Sequence, residues 1–158
     1  MRIGSYGVCD NKMLDQWGLL NSFESDKIHA SGLIVNEYSL EYSNWTAKVT
    51  LSHWLEEHGI VGISGIDTRN LTKKLRESGP LTGIIVPLNG FSLPSPMSNP
   101  EMFVDPNNRN LVAEVSINKV RSFNETGSVH IGMIDCGIKN NQIRCFCKYG
   151  AKVLILVY

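Results

Sequence analysis

Apolar positions come in short runs along this chain, and their spacing changes several times between helical and strand-like periods. Residues 10–25 are polar with scattered Met13, Leu14, Trp17, Leu19, Leu20 and Phe23, a spacing that predicts an amphipathic helix. Residues 28–35 read as a strand whose second half is apolar enough to be buried. The clearest helix is predicted over 44–58. There Ala47, Leu51, Trp54, Leu55 and His58 repeat at one-face helical spacing and Gly59 marks the stop. The order helix, strand, helix, helix, strand through residue 86 is α/β in character.

The next helix is announced by its cap. The Asp67 carboxylate is placed to accept the free N–H groups of a first turn, with Ile66 and Leu71 at the two staple positions around it. Leu71 and Leu75 share a face. Lys73, Lys74 and Arg76 fall mainly on the polar side and near the negative C-terminal end, and Gly79-Pro80 stops the helix.

Residues 81–86 read as another apolar strand. From 87 to 110 five prolines, Gly90 and several Ser and Asn leave no room for a regular element. Residues 111–117 alternate as a strand would, and the polar stretch 118–128 reads as a hinge. The end of the chain is a βαβ pattern. It has a strand over 129–134, a helix over 139–149 with Ile143, Phe146 and Cys147 on one side, a Gly150 cap and a strand over 152–158. With the rest of a sheet absent, that unit is expected to be poorly stable alone or to lean on the first.

Composition narrows the class without naming a chemistry. Fifteen basic and fifteen acidic residues balance, so neither a nucleic-acid footprint nor a membrane-surface patch is indicated. No apolar run approaches a transmembrane length, and the start has neither signal-peptide nor transit character. Four cysteines without an export signal read as free thiols. The sequons at Asn44, Asn70 and Asn124 mean nothing without secretion.

The candidate nucleophiles and ligands each have an ordinary structural reading. Cys136 lies in a strand-to-helix loop, where a helix N-terminus lowers a thiol pKa, but structural packing is the favoured reading. Cys145 and Cys147 would point about 200° apart on a helix and cannot hold one metal together. His29, His53, His58 and His130 are scattered, and no Ser or Cys sits in a Gly-x-Ser/Cys-x-Gly elbow. Residues 135–139 could cradle an anion at a helix N-terminus, but they lack the glycine pattern of a nucleotide loop. Asp67, Arg69 and Lys73 are the most tempting as functional residues, and on physical grounds they read first as a helix cap with solvated charges.

Three stretches of wording add a family. Ile66-Asp67-Thr68-Arg69-x-Leu71-Thr72-x-x-Leu75-Arg76-x-x-Gly79 resembles the signature of the glutamine-dependent carbamoyl phosphate synthetases, in the amino-terminal domain of the small chain or region. Asp135-Cys136-Gly137-x-Lys139-x-Asn141-x-x-Arg144 resembles the element that opens the family's amidotransferase domain, and Ile3-Gly4-Ser5-Tyr6-Gly7-Val8 resembles its Ile-Gly-Asn-Tyr-Gly-Val.

The resemblance implies an α/β fold. Residues 1–120 would be the later part of the small-chain amino-terminal domain, and 121–158 the first βαβ of a flavodoxin-like class I amidotransferase domain. It implies a stretch from the middle of a larger protein, without the family's nucleophile elbow or its catalytic Cys-His-Glu, and inactive alone. No catalytic, cofactor or metal residue is assigned, and Asp67, Arg69 and Lys73 are the structural or interface candidates.

The implied partner is the large synthetase subunit or region, where ATP and Mg2+ act. Glutamine would bind only in a complete amidotransferase domain. The wording at 141–145, with 103–110 ahead of it, looks most like the animal pyrimidine-pathway version, with a urea-cycle relative as the alternative because the residue that separates the two lies in the elbow, and a cytoplasmic location is expected. Two rivals stand beside this reading: a non-catalytic module that binds the synthetase, and an unrelated α/β redox or nucleotide-binding protein.

Overall fold

The computed structural model describes residues 2–86 and 100–158. It divides into two compact units, one of residues 1–9 and 28–108, the other of residues 10–27 and 109–158. The second unit therefore gathers residues from both sides of the expected 120/121 boundary. Both units mix helices with small sheets.

In the first unit, strand β1 (Val8–Cys9) pairs antiparallel with β3 (Ala47–Val49), and β2 (Gly32–Ile34) pairs parallel with β4 (Val61–Ile63). Helix α1 (Leu51–Glu57) buries Leu55. The expected helix over 44–58 thus begins late. Asn44 folds the chain into a turn by accepting the Thr46 N–H, residues 47–49 join β1, and Thr50 then caps α1 by accepting the His53 N–H at 3.1 Å. Gly59 follows with φ 65°, as its stop position suggested.

Helix α2 (Thr68–Ser78) forms as its pattern predicts. Asp67 accepts the Asn70 N–H at 2.9 Å, and Gly79 ends the helix with φ 77°. It buries no residue, Leu71 being half-buried and Leu75 exposed. The strand expected over 81–86 does not form: no ladder partner pairs with it among the described residues. The proline-rich segment shows two short 3-10 turns, Pro100–Phe103 and Pro106–Asn108, while the expectation for 87–99 falls outside the described residues.

The second unit is built on a three-stranded sheet of order β5-β7-β6, from β5 (Arg121–Phe123), β6 (Val129–Ile134) and β7 (Ala151–Leu156). Helix α4 (Asn140–Lys148) connects β6 to its parallel neighbour β7, so the βαβ pattern folds as read. Strand β7 is central and buries Ala151, Val153 and Ile155 on one face, the period-2 rule at work.

Two expectations here are corrected. Residues 111–115 form helix α3 (Leu111–Val115) and not a strand, because Asn110 caps them by accepting the Ala113 N–H and Ser116 donates back to the Val112 carbonyl. The polar hinge over 118–128 contains β5, antiparallel to β7. Its Phe123 is buried, whereas Arg121 and Ser122 stay exposed, an alternation that polar composition hid.

The helix expected over 10–25 is also absent. Residues 13–21 form a tight hairpin: Leu14 and Leu20 bridge, the Asn21 N–H donates to Met13, and the Asp15 N–H donates to Leu19. The Asp15 carboxylate accepts the N–H groups of Trp17 and Leu19, offering the backbone partners that a helix ladder would otherwise supply. Gly18 takes φ 74° at the bend, and Leu19, 1% exposed, is driven into the core beside Phe123, Ile143, Cys147, Val153 and Ile155. This hairpin supplies the second unit with cover that its own βαβ lacks.

Candidate functional site

Two places bring together the residues that the sequence motifs singled out. The first is α2. Arg69, Lys73 and Arg76 stand at i, i+4 and i+7, so they share one stripe of the helix. Among the described residues none of the three is joined by an ion pair. Asp67 holds the helix start in place through its cap. Asp67→Ala is expected to weaken α2 by about 0.5–2 kcal/mol, the usual cost of losing a carboxylate cap. Faster hydrogen exchange at the Asn70 amide would register it, and an unchanged rate would count against the cap.

The second place is the loop and helix over 135–144. Asp135, 5% exposed, ends β6 and turns its carboxylate onto three backbone N–H groups, those of Ile117 (2.8 Å), Gly137 (2.9 Å) and Ile138 (3.0 Å). Burial pushes this carboxyl upward. The three N–H donors, and after them the charge of Arg121, outweigh that effect and hold it below its ordinary value. The residue organises backbone, both carboxylate oxygens being engaged by main-chain N–H groups. Gly137 takes φ 101°, which fixes the turn into the helix. Gln142 accepts the Lys139 N–H at 3.1 Å, half of a capping box.

The start of α4 is already filled. The Asn141 N–H donates to the Glu24 carboxylate at 2.9 Å, and the Asn140 N–H donates to the Glu24 carbonyl at 3.0 Å. The expected anion position is therefore taken by a carboxylate of the chain itself, as helix-end N–H groups and dipole favour. Asn140 also donates its side-chain amide to the Phe23 carbonyl at 3.3 Å.

One turn further on, Arg144 spreads its guanidinium over the hairpin. Nε donates to Asp15 at 2.7 Å, Nη1 to the Phe23 carbonyl at 3.2 Å, and Nη2 to the Leu20 carbonyl. Both side chains of the Asp15–Arg144 pair are largely buried, 12% and 16% exposed. Burial alone would raise the Asp15 carboxyl. The Arg144 hydrogen bond, the Leu19 and Trp17 N–H groups and the Arg144 charge outweigh it, so Asp15 lies below the usual carboxylate range.

The histidines do not converge on either place, and of the cysteines Cys136 lies in the second, beside Asp135. Cys136 and Cys145 are exposed, and Cys147 is buried. Burial, and then the nearby Asp15 charge, pushes the Cys147 thiol up and keeps it protonated. His53 pairs with Glu57 at 3.4 Å, and His58 Nδ1 meets the Trp54 carbonyl at 2.8 Å. Among the described residues no group of three or more His, Cys, Asp or Glu could hold a metal ion. Asp15, Glu24 and the function of Asn140 escaped the sequence reading. The one available signal was Asp15 three residues ahead of Gly18, a turn pattern inside an apparently helical spacing.

Comparison with known proteins decides what these residues belong to. Residues 1–85 match the model of the carbamoyl-phosphate synthase small chain, CPSase domain. The chain belongs to the carbamoyl-phosphate synthase small-chain family. It is 44% identical over 154 residues to the multifunctional protein CAD of Squalus acanthias, covering 98% of this chain and 7% of that protein. It is 42% identical over 151 residues to the mitochondrial carbamoyl-phosphate synthase [ammonia] of Homo sapiens, covering 96% and 10%. It is 38% identical over 159 residues to the arginine-specific small chain of Saccharomyces cerevisiae, covering 99% and 37%.

The chain thus spans between 7% and 37% of the length of these relatives. Helix α2 with Asp67, Arg69 and Lys73 lies inside the matched domain, whereas the Asp135–Arg144 element lies beyond it. No helix among the described residues is long and apolar enough to cross a membrane.

Proposed function

We propose that this chain forms part of a glutamine-hydrolysing carbamoyl phosphate synthetase, in which it is structural and docks the synthetase. In this reading residues 1–120 are the later part of the small-chain amino-terminal domain, and 121–158 open a class I, flavodoxin-like amidotransferase domain. Ammonia from glutamine would be released on a Cys-His-Glu site outside these residues and combined with bicarbonate in an ATP- and Mg2+-dependent ligase reaction on the large subunit or region. The pyrimidine pathway and the cytoplasm are the proposed setting, on the wording of 141–145. This segment alone is inactive.

The observation that carries the docking role is α2, a capped helix that fully buries none of its residues among those described, and presents Arg69, Lys73 and Arg76 in one stripe. A helix so placed gains its stability from packing only when a partner covers it. Basic residues in register favour an acidic partner surface and steer its approach. In the complete enzyme, Arg69→Ala is expected to cut glutamine-dependent carbamoyl phosphate synthesis about tenfold, as for a single important interface side chain. Thermal stability should stay within about 0.5 kcal/mol of the parent, as for an exposed position. Full synthesis at normal stability would end the proposal for Arg69.

A further inference from the structure

Within the second unit, residues 13–21 close their hairpin on themselves. Asp15 and Asn21 donate their N–H groups to Leu19 and Met13, and Gly18 donates to Asp15. The sheet closes its own ladders, β5 to β7 and β6 to β7. Side chains join the two. Among the described residues of 10–27, Leu19 is the one that is buried, and Trp17 packs partly against the same cluster. From α4, Asn140 donates to the Phe23 carbonyl, and Arg144 donates to Asp15, Leu20 and Phe23.

The ridge of α4 that carries Asn140 and Arg144 continues to Cys147 and Lys148, at i+3 and i+4 from Arg144. Here the packing is incomplete. An open cleft of about 540 Å³ is lined by Gln16 and Trp17 of the hairpin and by Phe123, Asn124 and Cys147.

We propose that the hairpin 13–21 is a lid of the second unit, plugged by Leu19 and pinned by Arg144, which opens while the sheet stays folded and uncovers the Cys147 thiol. The proposal concerns this unit alone and is independent of the synthetase reading.

The argument compares two openings. Lifting the lid withdraws Leu19 and Trp17 and breaks the Arg144 and Asn140 bonds. Global unfolding breaks these and, in addition, both ladders of β7. Local opening is easiest where buried apolar contacts are few and much of the segment is exposed. The lid fits that description, with Met13 54% and Leu14 58% exposed. The cleft adds to it, since a face that meets empty space lacks the dispersion contacts that would hold it down.

Cys147 reports the opening. Under the closed lid it is buried, and burial, then the Asp15 charge, pushes its thiol up and keeps it inert. Uncovered, it takes on the reactivity of an ordinary thiol. Cys136 and Cys145 are exposed and serve as references in the same molecule.

The test is alkylation of the full chain with N-ethylmaleimide, read thiol by thiol by mass spectrometry, in urea below the unfolding transition. Cys147 is expected to label at least about tenfold more slowly than Cys136 and Cys145, as for a site that must open first. Its rate should rise with urea far less steeply than global unfolding does, because the lid exposes only part of the surface. Arg144→Lys, which keeps the charge and loses the fork, should speed Cys147 about tenfold. Asn140→Ala should speed it about threefold. Both variants keep Asp15, so the change reports exposure and not an altered charge beside the thiol. Hydrogen exchange at the β7 amides, which need the sheet to open, should in each variant report an opening at least about tenfold rarer than the one at Cys147.

Cys147 labelling with the full urea slope, through an opening as rare as that of the β7 amides, would overturn the lid, because the hairpin would then unfold only with the sheet. Labelling as fast as at Cys136 would overturn it from the other side, since nothing would cover the thiol. Unchanged labelling in both variants would overturn the Arg144 pin. If Arg144→Lys does not fold, the urea series on the parent and Asn140→Ala decide between these outcomes.

Discussion

Leu19→Ala is expected to destabilise the second unit by about 2–5 kcal/mol, the range for truncating a fully buried leucine. The side chain is 1% exposed and packs in the cluster of Phe123, Ile143, Cys147, Val153 and Ile155. Its backbone cannot close the gap, because the Leu19 N–H and carbonyl are both tied to Asp15 and the flanking Leu14–Leu20 bridge holds the hairpin open. A site that cannot collapse sits at the costly end of that range. Leu14→Ala is the control: 58% exposed in the same hairpin, it should shift stability by no more than about 0.5 kcal/mol. Urea unfolding checks both, with a lowered midpoint at unchanged slope for Leu19→Ala. Equal midpoints for the two variants would show that the hairpin is not part of the core.

Asp135→Ala should also be damaging, by about 1–3 kcal/mol, because it removes the acceptor of three part-buried N–H donors, of which the exposed Gly137 N–H can turn to water. Asp135→Asn keeps the shape and one acceptor oxygen and should lose less. The ionised form is also visible in the pH dependence. A carboxylate whose folded pKa lies below its unfolded value adds stability above the unfolded pKa and loses it as pH falls through the folded one. Asp135 and Asp15 are both lowered in this way. The second unit should therefore hold its stability near neutrality and lose it below about pH 4, the unfolded carboxylate range. Asp135→Asn should flatten that loss. A variant with the parent's acid slope would mean that Asp135 is not the group responsible.

Helix α2 and the β6-α4-β7 crossover were legible in the sequence, since each is specified within its own stretch. Asp67 and Gly79 bracket one, and a run of apolar residues on either side of a capped helix defines the other. The family wording also lay in the sequence, and the match over residues 1–85 agrees with it. Residues 10–25, 44–50 and 111–115 misled because helical spacing, or strand-like alternation, coincided with local side-chain caps from Asp15, Asn44, Thr50 and Asn110. A carboxylate, amide or hydroxyl that bonds the backbone one turn away rewrites the element without altering the apolar pattern.

The sequence by itself determined the elements whose hydrogen bonds close locally, together with the family signature. Only the tertiary structure decided that Asp15, Glu24, Asn140 and Arg144 meet, across more than a hundred residues of chain. The physical reason is that the Arg144 fork and the first N–H groups of α4 find their acceptors on the folded hairpin and its flank, in the Asp15 side chain, the Leu20 and Phe23 carbonyls and Glu24.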